Sequence, residues 1–273
     1  MKELLKSLIN NISPNIGKGI RNLKLKRLIT STPQISSEGL RFWGGQNYEN
    51  HEPSISKLLI DLMKKSDVFI NVGANHGIYC LKLSSLATIV YAFEALPDNL
   101  SLLMKNIREN SLTNKIVVFP VAAGAGQSLA TFYGASTGGS LLKGWNQQVD
   151  DGINVSVLSL DFLLQSSLKN TRPLFLIDVE GSEYEVIKGA KGIIENIEKA
   201  TFCIEISCRQ FMPGQTFNPN FINIFEYFYS VGFMAYEILD TGALIKLTKN
   251  LVWEYLEKSR FEAVMAVFTR DSL

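Results

Sequence analysis

Cysteine is scarce in this chain of 273 residues: three occur, Cys80, Cys203 and Cys208. An odd set with no repeated CxxC pair excludes a disulfide framework and a zinc ribbon, and fits a reducing compartment. Missing as well is any run of about 18 apolar residues, so no membrane-spanning helix is expected. The opening MKELLKSLINNIS is too polar for a secretion signal, and a cytoplasmic protein is expected. Nor does charge of one sign dominate. A formal net charge of +1 gives no global attraction for nucleic acid.

What is present is an ordinary core-forming composition, 46% hydrophobic and 19% charged, enough for one large α/β domain. One local asymmetry stands out. Residues 1–27 carry Lys2, Lys6, Lys18, Arg21, Lys24, Lys26 and Arg27 against Glu3, with Leu4, Leu5, Leu8 and Ile9 able to form a helix face. Two readings follow: a weak membrane-surface contact, with the protein peripheral to the membrane, or an N-terminal helix packed on the domain or solvated. Residues 1–52 are therefore set apart as a basic, helical extension, and 53–273 as the domain.

From Pro53 onward, helix-period and strand-like segments alternate, the pattern of a mostly parallel sheet covered on both faces. Pro53 to about Lys65 reads as a helix, Asp67 to Val72 as the first strand, and a helix follows from about Ile78. Thr88 to Phe93 is the second strand, and Pro97 opens a helix with Leu100, Leu103, Met104 and Ile107 on one face. Lys115 to Val121 is the third strand. Residues 124–158 form a glycine-rich insertion with short strands of its own. Leu174 to Val179 is the fourth strand, one helix with Val186 to Ile197 inward follows, and Phe202 to Ile206 is the fifth. The end of the chain adds a helix from Phe221 to Tyr229 and antiparallel strands at 233–239, 243–247 and 261–269.

A glycine-bearing turn, Gly73-x-x-x-Gly77, joins the first strand to its helix, where backbone can approach a ligand and helix amides face an anionic group. Glu94 closes the second strand about 20 residues on, the distance at which an acid meets ribose hydroxyls in such folds. Together they point to a nucleotide-type ligand. A capped helix N-terminus is the simpler alternative, and the dinucleotide fingerprint G-x-G-x-x-G is not spelled.

Several stretches resemble the FkbM-type methyltransferases: Phe69-Ile-Asn-Val-Gly-Ala-Asn-His-Gly-Ile-Tyr79, Val90-Tyr-Ala-Phe-Glu-Ala-Leu-Pro97, Val121-Ala-Ala-Gly124, Val157-Leu-Ser-Leu-Asp-Phe-Leu-Leu164, and Ile177-Asp-Val-Glu-Gly-Ser-Glu183 with Lys188-Gly-Ala190. They occur in the family's order over roughly residues 52 to 207. The resemblance implies a Rossmann-like class I methyltransferase fold, a mostly parallel seven-stranded sheet with helices on both faces and an antiparallel C-terminal strand. It implies S-adenosylmethionine as cofactor, with Gly73, Ala74, Asn75 and Gly77 on its methionine part, Glu94 on its ribose and Ala122 near its adenine. The family commonly has Asp at the position of Asn71 and Pro at that of Ala95. Asn71 can bond the cofactor's ammonium through its amide oxygen but lacks the charge-assisted share.

Transfer to a hydroxyl needs alignment of the reacting atoms and removal of a proton. Asp178 and Glu205 end neighbouring strands and project toward one crevice, and Glu180 and Glu183 begin the helix between them. Asp178, Glu180 and Glu205 are the candidate catalytic acids. Such a cluster can also grip substrate hydroxyls or hold a divalent cation, while Glu183 equally suits the positive end of a helix. His76, Ser140, Glu183 and Arg209 are the candidate substrate contacts. Trp145 and Phe211 supply flat apolar surface nearby in sequence, suiting a sugar face. His76 and Cys80, four apart, lack the further ligands of a zinc site, and His51 reads as a surface residue. No metal is assigned.

The expected activity is S-adenosylmethionine-dependent O-methylation of a sugar, glycan or related small molecule. Its rivals are an NAD(P)-dependent oxidoreductase, which shares the glycine turn and the acid, and a methyltransferase-like binding module without catalysis.

Overall fold

The computed structural model describes residues 23, 25–134, 136–147, 152–239, 241–257 and 262–273. The leucine-rich basic stretch of residues 1–22, offered above as a membrane-surface helix, lies outside the described residues.

The strands in chain order are β1 (Gln34–Ile35), β2 (Arg41–Phe42), β3 (Val68–Val72), β4 (Ile89–Phe93), β5 (Ile116–Phe119), β6 (Ala122–Ala123), β7 (Ser128–Phe132), β8 (Ile153–Leu158), β9 (Pro173–Ile177), β10 (Thr201–Ser207), β11 (Met234–Ile238), β12 (Leu244–Leu247) and β13 (Ala263–Thr269). Eight of them form one sheet in the order β12-β11-β13-β10-β9-β3-β4-β5. The five from β5 to β10 run parallel, and β13, β11 and β12 add antiparallel pairings at the far side. The sheet has eight strands where the resemblance implies seven, because β11 and β12 form a hairpin that pairs through β11 onto β13. Chain order reverses between β3 and β9, and in open α/β sheets such a switch point opens a crevice beyond the strand ends.

β3 and β9 are buried along their whole length, which is why both read as unbroken apolar runs instead of alternating ones. Their side chains feed two cores. Val68, Ile70, Val72, Phe175 and Ile177 pack on one face of the sheet, and Phe69, Leu174 and Leu176 on the other.

Three details depart from the sequence reading. The helix expected after β9 is two short ones, Glu183–Lys188 and Lys191–Asn196. A Cβ at Gly189 would overlap the Gly124 carbonyl, and the Asp161 carboxylate accepts the Gly192 and Ile193 amides at 2.8 Å each, starting a new helix there. The third strand ends at Phe119, and Ala122–Ala123 pairs instead with β8, so the insertion forms a three-stranded sheet, β6-β8-β7. A helix at Lys249–Glu257, unforeseen in the sequence, buries Val252 against the first core.

The boundary set at residue 52 is not a packing boundary. Phe42 and Tyr48 are buried in the second core. Asn106, wholly buried, bonds both the amide (2.8 Å) and the carbonyl (2.9 Å) of Trp43 and donates to the His76 carbonyl at 2.8 Å. Residues 34–52 are thereby tied to the loop that follows β3.

Candidate functional site

A cavity of about 420 Å³ opens at the carboxyl ends of β3, β4 and β9, within the size range of small-molecule sites. Its walls come from the turn after β3 and the ends of β4 and β9. The insertion and residues 46–52 complete them.

The turn after β3 is fixed by close backbone approach. Gly73 has φ 87°, and a Cβ there would overlap the Asp178 carbonyl oxygen. The Gly73 and Ala74 amides donate to the Phe93 carbonyl at 3.0 and 2.8 Å, so the turn is tied to the end of β4. Gly77 has φ 90° and would press a Cβ into Leu103. Its demand for glycine is met by packing, and it does not line the cavity.

Glu94 is buried at the cavity wall. Its carboxylate accepts the Asn75 amide at 2.8 Å and the Leu96 amide at 2.7 Å. Burial pushes its pKa up, and these hydrogen bonds oppose the rise. The Asn99 side chain and the Ala95 amide also donate to it, so a ligand's hydroxyls would share this carboxylate with those donors. Beside it lie two acceptors without partners, the amide oxygens of Asn71 and Asn75, both buried on the wall of this cavity. The Asn71 amide nitrogen is directed at Cys80 Sγ, 3.5 Å away. An unpaired buried acceptor costs roughly 1–3 kcal/mol, and a ligand bearing N–H donors would relieve that cost.

Carboxylates also crowd the cavity. Asp178, Glu180 and Glu205 all line it, and Glu52 joins them. The Asp178 pKa is raised well above the carboxylate range by burial, then by the charges of Glu205, Glu180, Glu183 and Glu52. Glu205 is pushed up to about 7, by burial first and by Glu52 and Glu180 next. Burial also raises Glu180, while the Trp145 indole N–H, donating to its carboxylate at 2.8 Å, holds it down. Asp178 therefore holds its proton more tightly than an ordinary carboxyl, and Glu205 titrates near neutral pH. Backbone strain gathers around these groups: Glu52 (φ 42°), Asn75 (φ 51°) and Glu180 (φ 57°) are left-handed non-glycine residues on the cavity wall, the pattern of a functional site.

Of the fourteen residues singled out from the sequence, ten meet at this cavity: Asn71, Gly73, Ala74, Asn75, His76, Glu94, Ala122, Asp178, Glu180 and Glu205. Gly77, Ser140, Glu183 and Arg209 do not line it. Ser140 is fully buried, its hydroxyl donating to the Glu180 carbonyl at 2.5 Å and accepting the Leu142 amide at 2.9 Å, so it shapes the Glu180 turn from behind. Arg209 is exposed and lies 6.0 Å from the Phe217 ring. Trp145 is buried beneath Gly181, leaving Phe211 as the aromatic of that pair at the cavity.

Sequence reasoning missed Glu52, His51, Tyr79, Gln46 and Asn99, all on the wall. His51, read as a surface residue, sits 3.6 Å from the Glu52 carboxylate, and burial lowers its pKa. Tyr79 donates its hydroxyl to Glu52. Glu52 immediately precedes the helix-opening Pro53, and that was the only signal available. Among the described residues no group of three or more His, Cys, Asp or Glu side chains is arranged to hold a metal ion.

Glu183 is 2% exposed. One oxygen accepts the Gly181 amide at 2.8 Å and the other has no partner, and burial pushes its pKa up to about 7. A carboxyl that holds its proton more tightly in the fold than in the unfolded chain favours folding at low pH. That advantage fades as pH rises from the unfolded value near 4.3 through about 7. Above it the fold bears a charge penalty on the order of 3 kcal/mol. Glu183→Gln is therefore expected to stabilise the protein by about 1–3 kcal/mol at pH 8 and by under about 1 kcal/mol at pH 5. Urea titrations at the two pH values check this; equal gains at both would remove the titration argument.

The chain is similar to several known proteins. The family described as Methyltransferase FkbM domain matches residues 71–234, more than half of the chain. Hexuronic acid methyltransferase AglP of Haloferax volcanii is 26% identical over 146 residues, covering 54% of this chain; the match spans 59% of that relative, short of two thirds of its length. A methyltransferase FkbM structure from Methylobacillus flagellatus has a TM-score of 0.45 at 18% identity, covering 74% of this chain and 43% of that one. The structure of M. capricolum TrmK with S-adenosylhomocysteine has a TM-score of 0.42 at 12% identity, covering 80% and 68% of the two chains.

Proposed function

Because the chain belongs to the FkbM methyltransferase family, we propose that it transfers the methyl group of S-adenosylmethionine to a hydroxyl of a sugar or glycan. The observation that carries this reading is that one cavity combines two chemistries: Glu94 with the unpaired oxygens of Asn71 and Asn75, and a group of carboxylic acids.

The first of these fits the cofactor's polar ends. Glu94 presents a carboxylate acceptor to the ribose hydroxyls, the Asn71 and Asn75 oxygens are acceptors for an ammonium, and Ala122 and Phe93 give the same cavity apolar wall for a flat ring. Bound there, the cofactor supplies an activated methyl group on sulfur. The sugar character of the acceptor is supported by the curated relative, whose name gives hexuronic acid as its substrate class.

Among the carboxylic acids, Glu205 accepts the proton of the acceptor hydroxyl. A base with a pKa near the working pH is the most effective one. Asp178 keeps its own proton, which limits the negative charge beside Glu205 and gives the acceptor a hydrogen-bond donor. This changes the part drawn for Asp178 in the sequence: its burial suits it to hold a proton, and Glu205 to take one. Glu180, anchored by Trp145, positions the acceptor.

Calorimetry with S-adenosylmethionine, S-adenosylhomocysteine and NAD tests the reading. The first two are expected to bind and NAD is not. Glu94→Ala is expected to weaken cofactor binding by about 10–100-fold, the loss of one or two charge-assisted hydrogen bonds. Heat with NAD and none with either methionine derivative would defeat the assignment.

A further inference from the structure

Glu52 lies outside the stretch matched by the family, residues 71–234, yet it completes the acid wall of the cavity. It is held there from three sides. The Tyr79 hydroxyl donates to its carboxylate, its carbonyl accepts the Ser56 amide at 2.8 Å, and Pro53 fixes the chain at the helix start. Its side chain stays partly open to the cavity mouth, 45% exposed. Its charge reaches inward, raising the pKa values of Asp178, Glu180 and Glu205 alike.

Among the described residues that line this cavity there is no Lys or Arg. The wall thus holds Glu52, Glu180, Glu205 and Asp178 with no Lys or Arg among the described lining residues; the nearest basic group on the wall is the His51 imidazole, 3.6 Å from Glu52, whose pKa burial lowers. Apart from the Asp178 proton, these acids offer acceptors, so the complementary ligand brings donors. A sugar hydroxyl does so. A sugar carboxylate brings further acceptors and a charge that must be desolvated against like charge with no Lys or Arg on the wall to pair it.

We propose that Glu52, steadied by Tyr79, completes an anion-rejecting carboxylate wall that restricts the acceptor to uncharged, hydroxyl-rich sugars and excludes their uronates. The inference rests on the methyl-transfer reading of the cavity and makes its acceptor class specific. Glu52 acts as a positioning and selecting group; no proton transfer is assigned to it.

The test uses the full chain, with and without S-adenosylhomocysteine, and calorimetric titration with methyl α-glycosides of glucose, mannose and galactose and with their C6 uronates. At pH 8 the uncharged glycosides are expected to bind at least about 10-fold more tightly than the uronates. Glu52→Gln should narrow that ratio several-fold with the S-adenosylhomocysteine affinity retained. Tyr79→Phe, which frees the Glu52 carboxylate, should narrow it less. Lowering the pH to 6 should narrow it too, because Glu205, pushed up to about 7, then carries a proton while a uronate stays ionised. Uronates binding as well as or better than the glycosides, a ratio that Glu52→Gln leaves unchanged, or binding of neither class would overturn the proposal. Absence of S-adenosylhomocysteine binding would instead count against the methyl-transfer reading, and sugar binding to the unloaded chain separates the two failures.

Discussion

Glu205→Gln is expected to lower methyl-transfer turnover by about 10²–10⁴-fold, the usual contribution of a positioned general base, with cofactor affinity changed by less than about 2-fold. The substitution keeps the shape of the side chain and its place in the middle of β10, where the residue pairs opposite Met265 of β13. What it removes is a proton acceptor whose pKa of about 7 is set by burial and by Glu52 and Glu180. The sign of the pH dependence follows. A base works only when unprotonated, so wild-type kcat/KM should climb as pH rises through about 7 and level above it. The variant should lose that rise together with its rate. Asp178→Asn provides the contrast: burial and the neighbouring acids favour the protonated form of Asp178, an uncharged state that the amide copies, so the loss should be smaller. A larger loss from Asp178→Asn than from Glu205→Gln, with the rise retained in the latter, would exchange the roles of the two acids.

The order of strands was legible in the sequence because β3 and β9 are buried on both faces and can be nothing but apolar. Gly73, Glu94, Asp178 and Glu205 were legible as residues of the cavity for a related reason. Each lies toward the carboxyl end of a parallel strand or within the turn that leaves one, and in this class of sheet those positions face the crevice. Ser140, Glu183 and Arg209 do not line the cavity, and a polar side chain in or beside a turn has two uses that look alike in sequence. Ser140 and Glu183 satisfy backbone groups of the turn at Glu180 and Gly181, Ser140 at the Glu180 carbonyl and Glu183 at the Gly181 amide. Glu52 and His51 were missed for the opposite reason. Nothing local marks residues 46–52 as part of a cavity, since they reach it through contacts 30 to 63 positions away, Gln46 with His76 and Trp43 with Asn106. The break at Gly189 was likewise written in a tertiary contact, the Gly124 carbonyl, against a helical periodicity that ran through it.

Gly73→Ala should destabilise the protein by about 3–5 kcal/mol and abolish measurable cofactor binding, although it adds one methyl group. Two costs combine. At φ 87° an L side chain is strained whatever the space around it. The added Cβ would also overlap the Asp178 carbonyl oxygen, which is backbone and cannot rotate away. That carbonyl is fixed because the neighbouring Asp178 amide donates to the Val72 carbonyl at 3.0 Å, continuing the β3–β9 ladder. Relief requires the ends of β3 and β9 to part, which pulls the Gly73 and Ala74 amides from Phe93 and shifts Asp178 away from Glu205. Gly126→Ala is the control: a Cβ there meets nothing within 4 Å, and its effect should stay within about 0.5 kcal/mol. In thermal melts the first substitution should lower Tm by roughly 6–20 °C, taking about 2–4 °C per kcal/mol for a domain of this size, and the second by little. Similar melting temperatures and retained cofactor binding for both variants would mean that the turn tolerates a side chain, and that its glycine does not set the geometry of the site.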